Sequence, residues 1–482
     1  MRFSTVCRIL GILLMIFSFT MLPPIAVSLY YQDHQFFAFF DAFLLTLGAG
    51  IAIWFPVRNK KKELRVRDGF IVTALFWLVL SLSGSIPLYF SDQPDLRFVD
   101  AYFESLSGLT TTGATVITGL DTLPKSILWY RQQLQWFGGM GLIVLAVAIL
   151  PMLGIGGMQL YRTEIPGPVK DTKLTPRITE TAKALWYIYL GLTVACALAY
   201  WIAGMSVFDA ICHSFSTIAI GGFSTHDTSI GYFDSIAIEM IAVFFMFAAG
   251  VNFALHFAAW RRNSWRTYLQ DPEFKFYGSL MLLVSCCTIG VLYFSGTYSF
   301  SESFTTGLFE VVSIATTTGF ATADFSSWPF VLPFLLFLIA FVGGCAGSTG
   351  GGMKAIRVLL IYKQGLREIK RLIHPNAIIP IKVGRKPVPD RVIEAVWGFF
   401  SVYLFVFVIL LLLVLATGLD QVTAWSAVGA TMNNLGPGLG DVSAHYGDIP
   451  DTAKWVLCFA MLMGRLEIFT LLILFTPSFW RS

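Results

Sequence analysis

Charge is scarce in this chain: Asp, Glu, Lys and Arg together make up 13% of its 482 residues. That is about half the share expected of a soluble domain, and it excludes a charged tail or nucleic-acid-binding surface as the dominant feature. Seven cysteines (Cys7, Cys196, Cys212, Cys286, Cys287, Cys345, Cys458) are scattered, mostly in apolar segments and without metal-ligand spacing, which argues against a disulfide framework. The six histidines (His34, His213, His226, His256, His374, His445) form no metal or triad pattern. No polar stretch is long enough for a separate soluble domain, since the longest, residues 363–391, is a short basic loop or docking surface. The glycine-rich segment 343–354 lacks the Gly-Lys-Ser/Thr of a phosphate loop, so no nucleotide site is visible. Ser348 lies between Gly347 and Thr349, which misses the G-x-S-x-G elbow and leaves an intramembrane hydrolase as a remote alternative.

What the chain has is apolar length, with 56% hydrophobic residues and a mean hydropathy of +0.71. Ten runs near the roughly 20 residues needed to cross a bilayer fall at 9–31, 37–56, 69–90, 132–151, 183–204, 236–259, 274–295, 329–362, 395–417 and 453–475. The basic, apolar N-terminus lacks a small-residue cleavage site before Pro23-Pro24 and reads as a retained first span. Of 33 Lys and Arg, 28 fall in loops on one side of this pattern, which predicts cytoplasmic termini. The opposite loops hold acids such as Asp92, Asp100, Glu104, Asp209, Asp227, Glu310 and Asp324. They predict a mouth that concentrates cations, or they simply fill loops that basic residues avoid.

Four segments repeat: DAYFESLSGLTTTGAT from Asp100, DAICHSFSTIAIGGFST from Asp209, TGLFEVVSIATTTGFAT from Thr306 and TAWSAVGATMNNLGPG from Thr423. Offsets of 109, 206 and 323 carry Gly113 onto Gly222, Gly319 and Gly436 without a gap. One unit used four times predicts a ring about an axis. Each copy begins with an N-cap residue type, Asp100, Asp209, Thr306 or Thr423. An apolar run too short to span then leads to the glycine, which predicts a re-entrant helix. Irregular backbone at membrane depth persists only where it lines water or is buried in protein, and rings of carbonyls and Thr hydroxyls can replace the shell of a dehydrated cation. The ion path is therefore read as Thr110, Thr111, Thr112 and Gly113; Ala219, Ile220, Gly221 and Gly222; Thr316, Thr317, Thr318 and Gly319; and Asn433, Asn434, Leu435 and Gly436. One copy alone would favour a plain Gly/Thr turn.

The motifs LTTTGAT, IAIGGFSTHD, ATTTGFAT, GGCAGSTGGGMK and NNLGPGLG resemble the Trk/Ktr/HKT superfamily of potassium transporters, in its bacterial TrkH/TrkG branch. The resemblance covers essentially the whole chain. It implies an all-α polytopic inner-membrane protein with two leading spans and four M1-pore-M2 repeats around a pseudo-fourfold pore. The divisions would be residues 1–66, 67–157, 176–262, 270–374 and 390–482. It also implies potassium as the ion, a homodimer, and a cytosolic nucleotide-binding regulatory partner like TrkA. The filter has Ile220 and Leu435 where other copies have Thr, and Asn433-Asn434 in the fourth, so a ring of limited stringency is expected.

Six glycines within residues 343–352 (Gly343, Gly344, Gly347, Gly350, Gly351, Gly352) each cost about 1 kcal/mol in a helix, so the eighth span should break mid-membrane. With Ser348 and Thr349 the segment is read as a gate beneath the third filter, against simple glycine packing. Arg465, deep in the last span, is read as facing the cavity below the filter and meeting that loop, or opposing cations, against snorkelling. An H+- or Na+-coupled symporter is the closer alternative mechanism. The basic loops 162–177, 261–275 and 363–391 are expected to receive the partner or membrane lipid headgroups.

Overall fold

The computed structural model describes residues 3–60, 66–141 and 178–481. Most are helical, and among the described residues the one sheet is a small hairpin pairing Lys382–Val383 with Lys386–Pro387. Six continuous helices are long and apolar enough to cross a membrane: Phe3–Tyr31, Phe36–Val57, Arg67–Phe90, Lys183–Ile202, Pro272–Phe294 and Asp390–Leu415. They are the two leading spans and the opening helix of every repeat.

The closing helices differ from the expectation of a single broken span, because each of them is interrupted. Lys125–Trp136 runs into a π-helical turn, Phe137–Gly141, and the rest of the expected span 132–151 lies outside the described residues. Ile236–Ala249 and Phe253–Arg262 meet at 94°, and Asp451–Arg465 and Phe469–Phe475 at 109°. Leu332–Ala340 is followed by irregular backbone until Ala355–Ile373. Glycine lies at or beside each interruption (Gly138-Gly139, Gly250, Gly343 to Gly352, Gly464), where it weakens a helix without changing the hydropathy that marks a span. The stretch 363–391 is more ordered than the loop expected, since the helix continues to Ile373 and the hairpin follows.

The four short helices are Phe98–Leu109, Val207–Ala219, Phe300–Ala315 and Gln421–Asn433. At about 1.5 Å per residue none reaches across a hydrocarbon layer of about 30 Å. Their caps lie upstream of the expected ones. Ser206 accepts from Asp209 N, Ser299 forms a capping box with Glu302, Asp420 accepts from Val422 N and Thr423 N, and Arg97 precedes the first helix without a side-chain cap. Asp100, Asp209 and Thr423 instead occupy the third helical position, and Thr306 is interior to its helix. Two apolar bodies support this frame, one joining the leading helices to repeats one and four and one joining repeats two and three. Phe341 and Trp425 pack against both.

Candidate ion-conducting site

Each short helix ends in the same way. The backbone turns left-handed at Thr111, Ile220, Thr317 and Asn434, with φ of 55°, 55°, 67° and 53°. The next N–H then reaches back to the helix: Thr112 N to Ser107 O, Gly221 N to Ser216 O, Thr318 N to Ser313 O and Leu435 N to Ala430 O, at 2.8 to 2.9 Å. Left-handed geometry suits Asn434 but is unfavourable for the β-branched Thr111, Ile220 and Thr317. Strain of this kind persists where the surrounding structure enforces it. One residue further, Gly113, Gly222, Gly319 and Gly436 also have positive φ, between 79° and 95°.

These glycines close a ring. A Cβ on Gly113 would strike Gly221 O, one on Gly222 would strike Thr318 O, one on Gly319 Leu435 O, and one on Gly436 Thr112 O, each nearer than 3.0 Å. Every repeat therefore presses on the next, and the fourth presses on the first. All four glycines line one cavity of about 450 Å³, together with Arg131 and Glu310.

The returning strands are held from behind. Gln135 donates to Gly221 O (2.6 Å) and accepts from Phe223 N (3.1 Å), while Gln132 donates to Phe223 O (3.1 Å). The register that aligns the glycines also aligns Glu104, His213 and Glu310, all buried. Each ties its helix to its own returning strand: Glu104 accepts from Val116 N (2.9 Å), His213 meets Ser224 Oγ (2.9 Å), and Glu310 accepts from Thr322 N (2.7 Å). In repeat four the matched residue is Ala427, and neighbouring Ser426 accepts from Leu439 N (2.8 Å) instead. These tethers were missed in the sequence reading, although offsets 109 and 206 reveal them. Several Thr hydroxyls expected to face ions are bonded locally, Thr110 to Thr112 (2.8 Å) and Thr316 to Thr318 (2.7 Å).

Beneath the ring, Gly350 and Gly351 leave no space for a Cβ against Thr316 O and Asn433 O. Gly351 N donates to Thr317 Oγ1 (2.7 Å), Gly352 N to Asn433 O (3.1 Å) and Thr349 Oγ1 to Ile218 O (3.0 Å). Gly343 lies against Gly351 O, and Gly344 and Gly347 against Gly250 O and Asn252 Oδ1. Ser348 donates to Cys345 O (2.7 Å). The Lys354 ammonium is buried and donates to Gly350 O. Arg465 reaches Gly138 O, Gly139 O (2.7 Å) and Thr111 Oγ1 (3.2 Å). These hydrogen bonds go to the first repeat, and the Arg465 charge also acts on Lys354 at the end of the glycine segment. Because Thr111 and Thr317 belong to diagonal members of the ring, the guanidinium and the loop meet its underside from opposite quarters.

The TrkH family, described as cation transport protein, matches residues 35–482. The chain belongs to the TrkH family. Over its whole length, and the whole length of each relative, it is 61% identical to the Trk system potassium uptake protein TrkH of Halomonas elongata and 56% identical to that of Escherichia coli K12. It is also similar to the crystal structure of the potassium transporter TrkH from Vibrio parahaemolyticus, with a TM-score of 0.91, 56% identity and full coverage of both chains.

In this TrkH-family chain the acids expected to line a cation-concentrating mouth are not all free to attract ions. Arg131 pairs with Glu104 (2.8 Å), both almost wholly buried. Lys454 pairs with Asp100 (2.6 Å), and Arg97 bridges Asp100 (3.0 Å) and Asp451 (2.8 Å). Arg131, Lys454 and Arg97 are thus spent on acids, and Lys125 lies over the Phe208 ring. Glu310 keeps one buried oxygen, Oε2, without a partner among the described residues.

His226 stacks on Tyr232, bonds Asp121 through Nδ1 and faces Asp209 with Nε2 at 3.6 Å, with the His213 ring nearby. Burial disfavours its imidazolium, but Asp209 and Asp121 outweigh that and raise its pKa above the ordinary 6.5. The stability this adds is complete below the unfolded value and disappears as pH rises through the raised folded value. Thermal unfolding of the purified protein should therefore fall in midpoint from pH 6 to pH 9. His226→Gln should remove part of that slope, and an unchanged slope would count against the assignment.

Proposed function

We propose that this chain takes up potassium through a gated, channel-like pore whose filter is the ring of Thr110–Gly113, Ala219–Gly222, Thr316–Gly319 and Asn433–Gly436. The observation that carries this is the cyclic contact of the four glycines at matched register. Relatives identical over more than half their residues bear the name potassium uptake protein, which supports potassium as the ion. Backbone forced into left-handed turns beside a water-accessible cavity is the arrangement in which carbonyls can take over an ion's hydration shell.

The segment Gly343 to Gly352 acts as the gate, with Arg465 as a second, positively charged obstacle. Packing of the loop against Thr317 and Asn433, and of Arg465 against Thr111, supports an occluded state. Opening requires both to withdraw. The chain works as a homodimer in the bacterial inner membrane with both termini cytoplasmic. A cytosolic nucleotide-binding partner governs the gate through the basic loops at 261–275 and 363–391. The basic loop at 162–177 lies outside the described residues.

Purified protein in liposomes with opposed K+, Na+ and pH gradients tests the reading. The reversal potential is expected to follow the K+ Nernst potential alone. A pH- or Na+-dependent offset would replace conduction with coupled symport, and absence of any K+ flux, even with the regulatory partner added, would overturn transport by this pore.

A further inference from the structure

The interruptions of the four closing helices are bonded to one another. Cys345 N donates to Gly250 O (2.8 Å) and Phe253 N to Gly347 O (3.0 Å), which bolts the glycine loop to the bend of repeat two. Arg465 bonds the carbonyls of Gly138 and Gly139 in the π-helical turn of repeat one. Between the glycine loop and the bend of repeat four runs an ion pair: Arg357 Nη2 lies 2.6 Å from Glu467 Oε2.

Both members of this pair are placed by the interruptions themselves. Arg357 lies in the first turn of the helix that follows the glycine loop. Its Nη1 donates to Met353 O (3.2 Å), and its guanidinium lies 4.2 Å from the centre of the Phe399 ring. Glu467 lies two residues beyond Arg465, where the closing helix of repeat four has just ended. Glu467 and Ile468 both have positive φ, 53° and 55°. For Ile468, a β-branched residue, such a conformation is an outlier that only surrounding contacts maintain. The other carboxylate oxygen, Glu467 Oε1, is buried without a partner among the described residues. Arg357 is therefore the cation bonded to the carboxylate at the bend, with the Lys354 ammonium of the same segment also acting on Glu467, and a buried carboxylate left without its cations is strongly disfavoured.

The geometry points to the Arg357–Glu467 pair as a latch that couples the two obstacles beneath the filter, so that the glycine loop and Arg465 are released together. When the loop moves it carries Arg357 away from Glu467. The strained bend loses its counter-charge and relaxes, and Arg465, two residues earlier in the same segment, is drawn off the Gly138 and Gly139 carbonyls. The two residues position the gate and do not touch the ion. This rests on the reading of the loop and Arg465 as obstacles.

Basal flux of rubidium into liposomes holding the purified full chain alone tests the latch. Glu467→Gln and Arg357→Glu are each expected to raise that flux at least fivefold. The exchange of charges, Arg357→Glu with Glu467→Arg, is expected to return it toward the original level, which a loss of packing would not do. Adding Glu467→Gln to Arg465→Gln is expected to raise flux by a smaller factor than Glu467→Gln does in the original protein, because the part of its effect that comes from releasing Arg465 is already gone. Monodisperse elution and an unfolding midpoint are recorded for every variant, and Glu467→Gln, the least disruptive, decides the matter if the charge reversals do not fold. A flux raised by Arg465→Gln but unchanged by Glu467→Gln overturns the latch and leaves the obstacle reading standing. Independent, multiplying effects of the two also overturn it. Unchanged flux in Arg465→Gln overturns the obstacle reading and the latch with it.

Discussion

Gly222→Ala is expected to lower rubidium tracer uptake by about tenfold or more, with the same direction of effect at Gly113, Gly319 and Gly436. An L-residue in left-handed geometry costs roughly 1–2 kcal/mol, and Gly222 has φ of 82°. Its new Cβ would also press on Thr318 O. That oxygen belongs to backbone whose own N–H is bonded to Ser313 O (2.8 Å), so it cannot swing aside as a flexible side chain would. The ring must open or shift, and each 1.4 kcal/mol or so added to the barrier for an ion is tenfold in rate. Gly191→Ala serves as the control, because nothing lies within 4 Å of the Cβ it would add in its helix. Uptake by Gly222→Ala equal to that of Gly191→Ala would remove the ring from the ion path.

The second large effect concerns stability. Glu104→Gln is expected to destabilise the protein by about 3–5 kcal/mol, the cost of leaving one member of a buried pair unpaired. The Arg131 and Glu104 side chains are 1% and 0% exposed, so solvent cannot screen what remains. Arg131 also donates to Ser224 O (3.2 Å), and its guanidinium lies 4.3 Å from the centre of the Phe223 ring, so the damage should extend to the second repeat's strand. The double variant Glu104→Gln, Arg131→Met should recover much of the loss, since no charge is then stranded. Glu310→Gln should cost far less than Glu104→Gln, because no cation is bonded to Glu310 among the described residues and an amide oxygen still accepts from Thr322 N. The midpoint of thermal unfolding in detergent measures all three, and a Glu104→Gln midpoint near that of Glu310→Gln would refute the distinction.

The ring was legible in the sequence because glycine at matched spacing reports a backbone requirement, and Gly113, Gly222, Gly319 and Gly436 are such requirements. The break at Gly343 to Gly352 was legible for a similar reason: so many glycines cannot remain helical. The bends at Gly250 and beyond Gly464 were hidden, since a single glycine in an apolar run is compatible with an intact helix. Their breaks are stabilised by distant partners, Cys345 and Arg357, which no local pattern announces. The helix starts were misjudged at Asp100, Asp209 and Thr423 because a third-position acid or Thr resembles a cap in composition.

A chain that arranges four units in a circle can join them covalently at three junctions only. The fourth junction, between the last unit and the first, has no linker. There Lys454 grips Asp100, Arg97 grips Asp451, Tyr446 N donates to Thr115 O (2.7 Å), and Asn434 donates to Thr112 Oγ1 (2.9 Å). These contacts are the stitches of a seam. They supply by charge and hydrogen bonding the closure that peptide bonds supply elsewhere in the circle.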